Sequence, residues 1–358
     1  MKRYADLWPG LINWKNLLLA AKRARRGKRD RPVVQQFDFQ LEWELLLLRS
    51  ELEKGSYHPG PFRTHKIFRP KTRMISAAPY RDRVVHHAIM NVLEPILETH
   101  FYQHSYACRV RKGTHAASRH LQTLLRTYRY SLQFDIRKFF PSIDHDVLKI
   151  GFRRRLKDRS FLKLLELIVD GSNPQEPVLD YFSGDDLFTP FECRKGLPIG
   201  NLTSQWFANW YLDPLDHWLT SHMRIGGHVR YCDDFVILDN DRQKLCEMKH
   251  AVPEFLAKLR LKVHSERLAV LPSAAGRTFV GYRILPSHRV ITAEGKQRFL
   301  RRLRWIKRSF VNGDISREAV HGRLMSWMGH AGQADSLPLL RKLAADWVFI
   351  EGKFDHFR

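Results

Sequence analysis

The stretch that decides the fold is His228-Val229-Arg230-Tyr231-Cys232-Asp233-Asp234-Phe235-Val236-Ile237-Leu238. Two runs of strand length flank an Asp-Asp pair, so the segment reads as two strands joined by a two-residue turn. Asp-Asp is a poor turn pair beside Asn-Gly, and something other than turn propensity must select it. A second stretch, Ser131-Leu132-Gln133-Phe134-Asp135-Ile136, alternates polar and apolar as a half-buried strand does and carries another aspartate near its end. If these strands neighbour each other in one sheet, Asp135 converges with Asp233 and Asp234. Two carboxylates 4 Å apart repel by about 4 kcal/mol at an effective dielectric near 20, so such a cluster asks for cations. A pair of Mg²⁺ ions meets that demand: they take oxygen ligands, bridge phosphates and stabilise both oxygens of an in-line displacement. That is nucleotidyl-transfer chemistry. A lone Asp at a strand end is ordinarily a cap or turn residue; only the set is specific.

The composition points the same way. The chain has 358 residues, with 61 Lys+Arg against 37 Asp+Glu and a formal net charge of +24. Such a surplus asks for a polyanion, and nucleic acid comes first because each neutralised phosphate releases condensed counterions. Hydrophobic residues at 44% and aromatic residues at 12% are enough for a real core, and the length suggests two or three lobes. The longest apolar runs, such as Leu45 to Leu48 and Leu17 to Ala21, fall far short of the roughly 20 residues of a bilayer span. No small-residue cleavage site follows Lys22-Arg23, which speaks against a secretory signal. Four cysteines without a CxxC pair suit a reducing cytosol, and a cytoplasmic location is expected. The 18 histidines are scattered, which argues against a dedicated zinc site.

Outward from the aspartates, helices are expected over Phe37 to Leu52 (with Gly55 as the stop), Tyr80 to Glu98, Thr114 to Tyr128, Asn201 to Met223 and Lys296 to Arg308. His65 to Ile75 reads as a basic strand-like segment, and Asn173 to Lys195 as loops with a short hairpin. The basic block from Lys22 to Arg31 admits two readings, a solvated arm or one that tracks phosphates. On the helix from Lys296, Phe299, Leu303, Ile306 and Phe310 share one face while arginines cover the rest, suiting either solvent or a duplex backbone.

With these residues in place a family resemblance can be stated. Tyr231-Cys232-Asp233-Asp234 resembles the YxDD box of reverse transcriptases. Phe134 to Ile143 resembles motif A of that family, Gly196-Leu197-Pro198-Ile199-Gly200-Asn201-Leu202-Thr203-Ser204-Gln205 its motif B, Phe279-Val280-Gly281-Tyr282 its primer grip, and Lys66 to Arg83 its fingers motifs. The blocks stand in family order over about residues 60 to 290. The resemblance implies an α+β right-hand polymerase fold: a basic extension and fingers over 1–128, an antiparallel-sheet palm over 129–291 and a helical thumb over 292–358. It implies an RNA-directed DNA polymerase working with template RNA, primer, cDNA and dNTPs. The ending Thr203-Ser204-Gln205, with Ile199 where retroviral members carry Gln, is most similar to the enzymes of diversity-generating retroelements, which implies low fidelity and a small basic accessory protein. Retron-type or antiviral-defence enzymes, an RNA-dependent RNA polymerase, and a non-catalytic maturase-like RNA-binding protein are the alternatives.

Residue by residue, the resemblance makes Asp135, Asp233 and Asp234 the catalytic set. Asp135, Asp233 and the Ile136 carbonyl would hold two Mg²⁺ ions (or Mn²⁺), with Asp234 in support and counted with the metal site. Arg73, Lys66 and Arg69 are expected at the dNTP phosphates, because guanidinium offers forked donors. Phe140, five residues after Asp135, is expected to exclude a ribose 2′-OH, with the alternative that Phe139 or Phe140 is simply core. Ile199 and Gln205 complete the dNTP pocket. Phe279, Val280, Gly281 and Tyr282 form the primer grip, and Arg301, Arg304 and Arg308 contact nucleic acid. The Lys that often protonates the leaving pyrophosphate is matched by Arg267, a poor acid, leaving Lys262 and His264 as alternatives.

Overall fold

The computed structural model describes residues 3–68, 72–172, 176–264 and 268–345. Its strands form three antiparallel sheets. A hairpin pairs β1 (Arg63–Ile67) with β2 (Arg73–Ala77). The central sheet runs in the order β4-β5-β3-β6, from β3 (Tyr130–Asp135), β4 (Gly227–Tyr231), β5 (Asp234–Asp239) and β6 (Leu271–Pro272). A third sheet follows from β7 (Arg277–Phe279), β8 (Tyr282–Ile284) and β9 (Arg289–Ile291). Helices α1 (Trp8–Ile12), α2 (Trp14–Ala24), α3 (Pro32–Phe39) and α4 (Leu41–Lys54) precede the first hairpin. Between it and the central sheet come α5 (Tyr80–His100) and α6 (Thr114–Thr127). Within the sheet's connections lie α7 (Phe139–Ser142), α8 (His145–Arg155), α9 (Arg159–Asp170), α10 (Thr189–Glu192), α11 (Leu202–His217) and α12 (Arg242–Lys258). The chain continues through α13 (Ala293–Val311), α14 (Arg317–Ala331) and α15 (Leu337–Ala345). The fold is α+β, with a central antiparallel sheet set among helices and three further helices after the last strands.

Burial explains why the decisive stretch reads as it does. Phe235, Val236, Ile237 and Leu238 of β5 are all fully buried, because the strand is covered on both faces. Phe235 and Ile237 join Leu132 and Phe134 of β3 in the main core, while Val236 and Leu238 join Val229 of β4 and Ala117, Leu121 and Leu125 of α6. A strand sandwiched in this way has no polar face, hence the unbroken apolar run. Helices α13 and α14 close a separate core of Phe299, Leu303, Ile306, Val320 and Leu324, with the Phe299 and Trp327 rings stacked at 3.6 Å.

Three expectations are corrected. The helix anticipated over Phe37 to Leu52 is two helices, because Gln40 leaves the helical region at φ −110°, ψ 29°; Gly55 does end the second one, at φ 69°. The basic block at 22–31 is no free arm over its first residues: Lys22 and Arg23 form the last turn of α2, which buries Leu17, Ala20, Ala21 and Ala24. Among the described residues of 176–195 there is the short helix α10 and no hairpin, the polar stretch being held by side-chain bonds such as Asp186 to the Phe188 and Thr189 amides.

Close approach at the start of β4 demands glycine. A Cβ on Gly227 would lie 2.8 Å from Tyr128 Cε2 and 3.1 Å from Leu124 Cδ2, and the Tyr128 hydroxyl is held by the Gly226 carbonyl. Gly227→Ala is therefore expected to destabilise the protein by about 1–3 kcal/mol through overpacking, read as a lower denaturation midpoint.

Candidate active site

The central sheet places Asp135 and Asp234 directly opposite each other in the β3–β5 ladder. Residues so paired share a sheet face with Cβ atoms about 4.5–5.5 Å apart. Asp234 also pairs with Tyr231, so the turn is Cys232–Asp233, one residue earlier than the Asp233–Asp234 tip anticipated from sequence. The shift has a local cause: Cys232 takes φ 56°, leaving Asp234 free to extend into the ladder. The turn closes against motif A, since the Ile136 N–H donates to the Asp233 carbonyl at 3.3 Å. Arg137 N–H donates to the Lys262 carbonyl and His264 N–H to the Asp135 carbonyl, which makes Ile136 and Val263 a non-hydrogen-bonded pair. The Ile136 carbonyl, pointing the same way as its own N–H, therefore faces the Asp233 turn.

A buried ion pair fixes that turn. Arg230 is 1% exposed and donates through Nε to both carboxylate oxygens of Asp216 on α11, at 2.8 and 2.9 Å. Its Nη1 reaches Asn209 Oδ1 and the Cys232 carbonyl, each at 3.1 Å. Positive φ at a non-glycine residue costs about 1–2 kcal/mol, and a charge-assisted bond to the strained residue's own carbonyl offsets it.

Electrostatics sort the three aspartates. Asp234 is half-buried, and its Oδ1 accepts from Gln133 Nε2 at 2.8 Å. Desolvation first, then the neighbouring charges of Asp135 and Asp233, push its carboxyl up to about 7 against the lowering by Gln133. Gln133 also donates to the Thr278 carbonyl at 3.0 Å, linking the aspartate cluster to the strand that leads into the anticipated primer grip. Burial and the Asp233 charge push the Cys232 thiol up to about 12, with Arg230 and Arg73 pulling the other way. The Arg73 guanidinium is thus within electrostatic reach of the turn.

The donor chemistry fits a hard divalent cation in a restricted way. Among the described residues no group of three or more His, Cys, Asp or Glu side chains is arranged to hold a metal ion. Asp234, expected in support of the metal site, has its Oδ1 engaged by Gln133. Asp135, Asp233 and the Ile136 carbonyl are the oxygen set that could take an ion, and Mg²⁺ commonly binds through one or two carboxylates plus substrate phosphates.

The other anticipated residues fall as follows. Arg73 opens β2 and is exposed; Lys66, exposed on β1, stands opposite Met74; Arg69 and Arg267 lie outside the described residues. Phe139 is core at 2% exposure, whereas Phe140 is half-buried, its carbonyl accepting from Leu197 N–H of motif B at 2.9 Å. Ile199 and Gln205 are half-buried, at the loop before α11 and on its first turns. Val280 and Gly281 both take positive φ, 45° and 89°, which makes the β7–β8 turn tight, with Phe279 and Tyr282 buried on its strands. The Tyr282 hydroxyl donates to the His330 carbonyl at 2.9 Å and lies 2.8 Å from His330 Nδ1, joining this hairpin to α14. Arg301, Arg304 and Arg308 are exposed on α13. Lys262 Nζ pairs with Asp180 at 3.3 Å and lies over the Phe182 ring, so it is already engaged. Sequence reading missed Gln133, Arg230 and Asp216. For Arg230 and Asp216 the available signal was a charge inside an element of mostly buried residues; for Gln133, on an alternating strand, there was none.

The raised Asp234 carboxyl has a stability consequence with a definite sign. The folded state holds this proton to higher pH than the unfolded chain does, so its contribution is full below about 4 and is lost as pH rises through about 7. In a metal chelator, Asp234→Asn is expected to melt at a higher temperature than the parent at pH 8, the gap closing toward pH 4. Melting curves across that range check the sign.

Comparison with known proteins gives the family. Residues 62–284 match the family model described as reverse transcriptase (RNA-dependent DNA polymerase). Protein YkfC of Escherichia coli (strain K12) is 24% identical over 286 residues, covering 68% of this chain and 71% of that protein. The group II intron-encoded protein LtrA of Lactococcus lactis subsp. cremoris is 26% identical over 171 residues, and the match spans 46% of this chain but only 26% of LtrA. Apo telomerase from Candida Tropicalis, truncated from its C-terminal domain, superposes with a TM-score of 0.47 at 14% identity, over 68% of this chain and 59% of that one. With more than half its length matching the family model, and the YxDD turn set against motif A, the chain belongs to the reverse transcriptase family.

Proposed function

We propose that the chain is a catalytically active RNA-directed DNA polymerase that copies an RNA template into cDNA from a primer and dNTPs. The observation that carries this reading is the register: Asp135 opposite Asp234, with Asp233 on the adjoining turn. A purely RNA-binding protein gains nothing from three mutually repelling carboxylates at the end of its best-packed strands. Asp135 and Asp233, with the Ile136 carbonyl, would hold two Mg²⁺ ions (or Mn²⁺), which supply charge stabilisation at the attacking and leaving oxygens. Asp234 stays behind them on Gln133 and holds the turn side of the cluster. Arg73 presents forked donors to the triphosphate, and Phe140 stands against the sugar. The Val280–Gly281 hairpin supports the primer end, and the exposed arginines of α13 follow the duplex backbone.

Within the family, the diversity-generating retroelement type is the finer reading we favour, on one specific feature. Ile199 puts an apolar side chain where retroviral members offer an amide, and a missing hydrogen-bond donor beside the nascent pair weakens discrimination by about 1–3 kcal/mol. A small basic accessory protein belongs to that reading.

The decisive measurement is primer extension on RNA. Asp135→Asn and Asp233→Asn should each abolish extension, a loss of at least about 10³-fold, while duplex affinity in a filter-binding or anisotropy assay stays within a few-fold. Extension retained by either variant would sink the assignment. Separately, Phe140→Ala is expected to raise rNTP incorporation relative to dNTP by about ten-fold or more, measured as the ratio of the two kcat/KM values.

A further inference from the structure

Asn201 stands at the N-cap of α11, where an asparagine side chain ordinarily accepts a helix N–H. Here it makes no such bond. Its amide instead leaves the helix and engages the backbone of the strand that carries Arg73. Nδ2 donates to the Ser76 carbonyl at 3.1 Å, and Oδ1 accepts from the Ala78 N–H at 3.1 Å. A third bond lies beside these, from the Ser76 N–H to the Ile199 carbonyl at 3.0 Å. The loop 199–201 thus lies along the free edge of β2 as a strand would, with one side-chain amide standing in for a peptide group. Asn201 is 3% exposed and Ser76 fully buried, so these bonds are shielded from competing water. The loop has no freedom to sit elsewhere: Gly200 takes φ 115°, and a Cβ there would lie 3.0 Å from Ile75 Cγ2.

We infer that Asn201 is a positioning residue for nucleotide selection, fixing the strand that begins with Arg73 against the loop that presents Ile199. This rests on the polymerase reading above. Arg73 lies at the phosphate end of the proposed dNTP pocket and Ile199 at its base end. They are far apart in sequence, and Asn201 makes their backbones one body. A residue that forgoes its local cap for two long-range backbone bonds is placed for that alignment rather than for the helix it precedes.

The test separates the clamp from the chemistry. Asn201→Ala removes both arms; Asn201→Asp keeps size and the acceptor for Ala78 but sets an oxygen against the Ser76 carbonyl. Hydrogen exchange of the amides over 73–78 reads the clamp without any turnover and should quicken in both variants, with the β3–β5 ladder unchanged. In steady-state extension the KM for dNTP should rise about ten-fold and discrimination against mismatched dNTPs should fall, while the KM for template–primer stays within about two-fold. Faster exchange with unaltered dNTP kinetics overturns the inference. So does a uniform loss of kcat and both KM values with a lowered melting temperature, the mark of a merely structural role. A wild-type chain that fails to extend primers at all overturns the polymerase reading, whereas the exchange data would still report whether the clamp exists.

Discussion

The structure turns on a like-charge contact that its own sheet enforces. Asp135 and Asp234 are cross-strand partners, and two ionised carboxylates even as close as 4 Å repel by about 4 kcal/mol at an effective dielectric near 20, an upper bound here because the Asp234 carboxyl is pushed up to about 7. Left to themselves the strands would slip or fray at this end. They do not, because the rest of the ladder fixes the register. The four residues after Asp234 are fully buried, and at about 1.5–3 kcal/mol each they outweigh the repulsion even as an upper estimate. The Phe134 and Phe235 rings, themselves cross-strand partners, stack at 5.0 Å one step behind the aspartates. A one-residue slip would turn every one of these side chains to the wrong face, so apolar packing sets where the charges stand.

Helix α11 carries that order to the other side of the site. Its Asp216 holds Arg230, which holds the Cys232 carbonyl, and its Asn209 meets both Arg230 and the Ala107 carbonyl. At its opposite end Asn201 grips β2. Fifteen residues at 1.5 Å rise make about 22 Å between those two anchors, all of it one rigid element with most of its side chains buried. The same helix therefore sets both the turn that bears Asp233 and the strand that opens with Arg73. The Arg230–Asp216 pair is weak evidence of stability, since removing both charges can be neutral, but breaking it from one side would strand a charge in the core.

Much of this was legible in the sequence. Alternation at Ser131 to Ile136 and the run after Asp234 marked the two strands, and the ordered motif blocks marked the family. What was not legible has physical causes. The turn was placed one residue late because no propensity scale puts cysteine in a left-handed turn position; the tertiary bond from Arg230 decides it. The break at Gln40 was hidden because apolar residues keep a helical spacing on both sides of it, although Phe39 ends up exposed. The partner of Asp234 was not legible either: Gln133 is one polar position among several on an alternating strand, and only the fold brings its amide to the carboxylate.

Lysine as a pyrophosphate acid shows the same limit from the side of charge. In a chain of net +24 most basic residues read as surface or phosphate contacts, and nothing local separates Lys262 from the rest. The fold does separate it. The acidic segment that follows α9 lies against motif A and the stretch after α12 and pairs its carboxylates with both: Asp180 with Arg137 and Lys262, Glu176 with Lys138, Asp185 with Arg260. The Lys262 Nζ is thereby tied to Asp180 and the Phe182 ring. The basic residues are thus divided into two populations. One is paired with carboxylates beside the exit of β3, while the other, on α13 and at the start of β2, is exposed and is the one the proposed function assigns to phosphate.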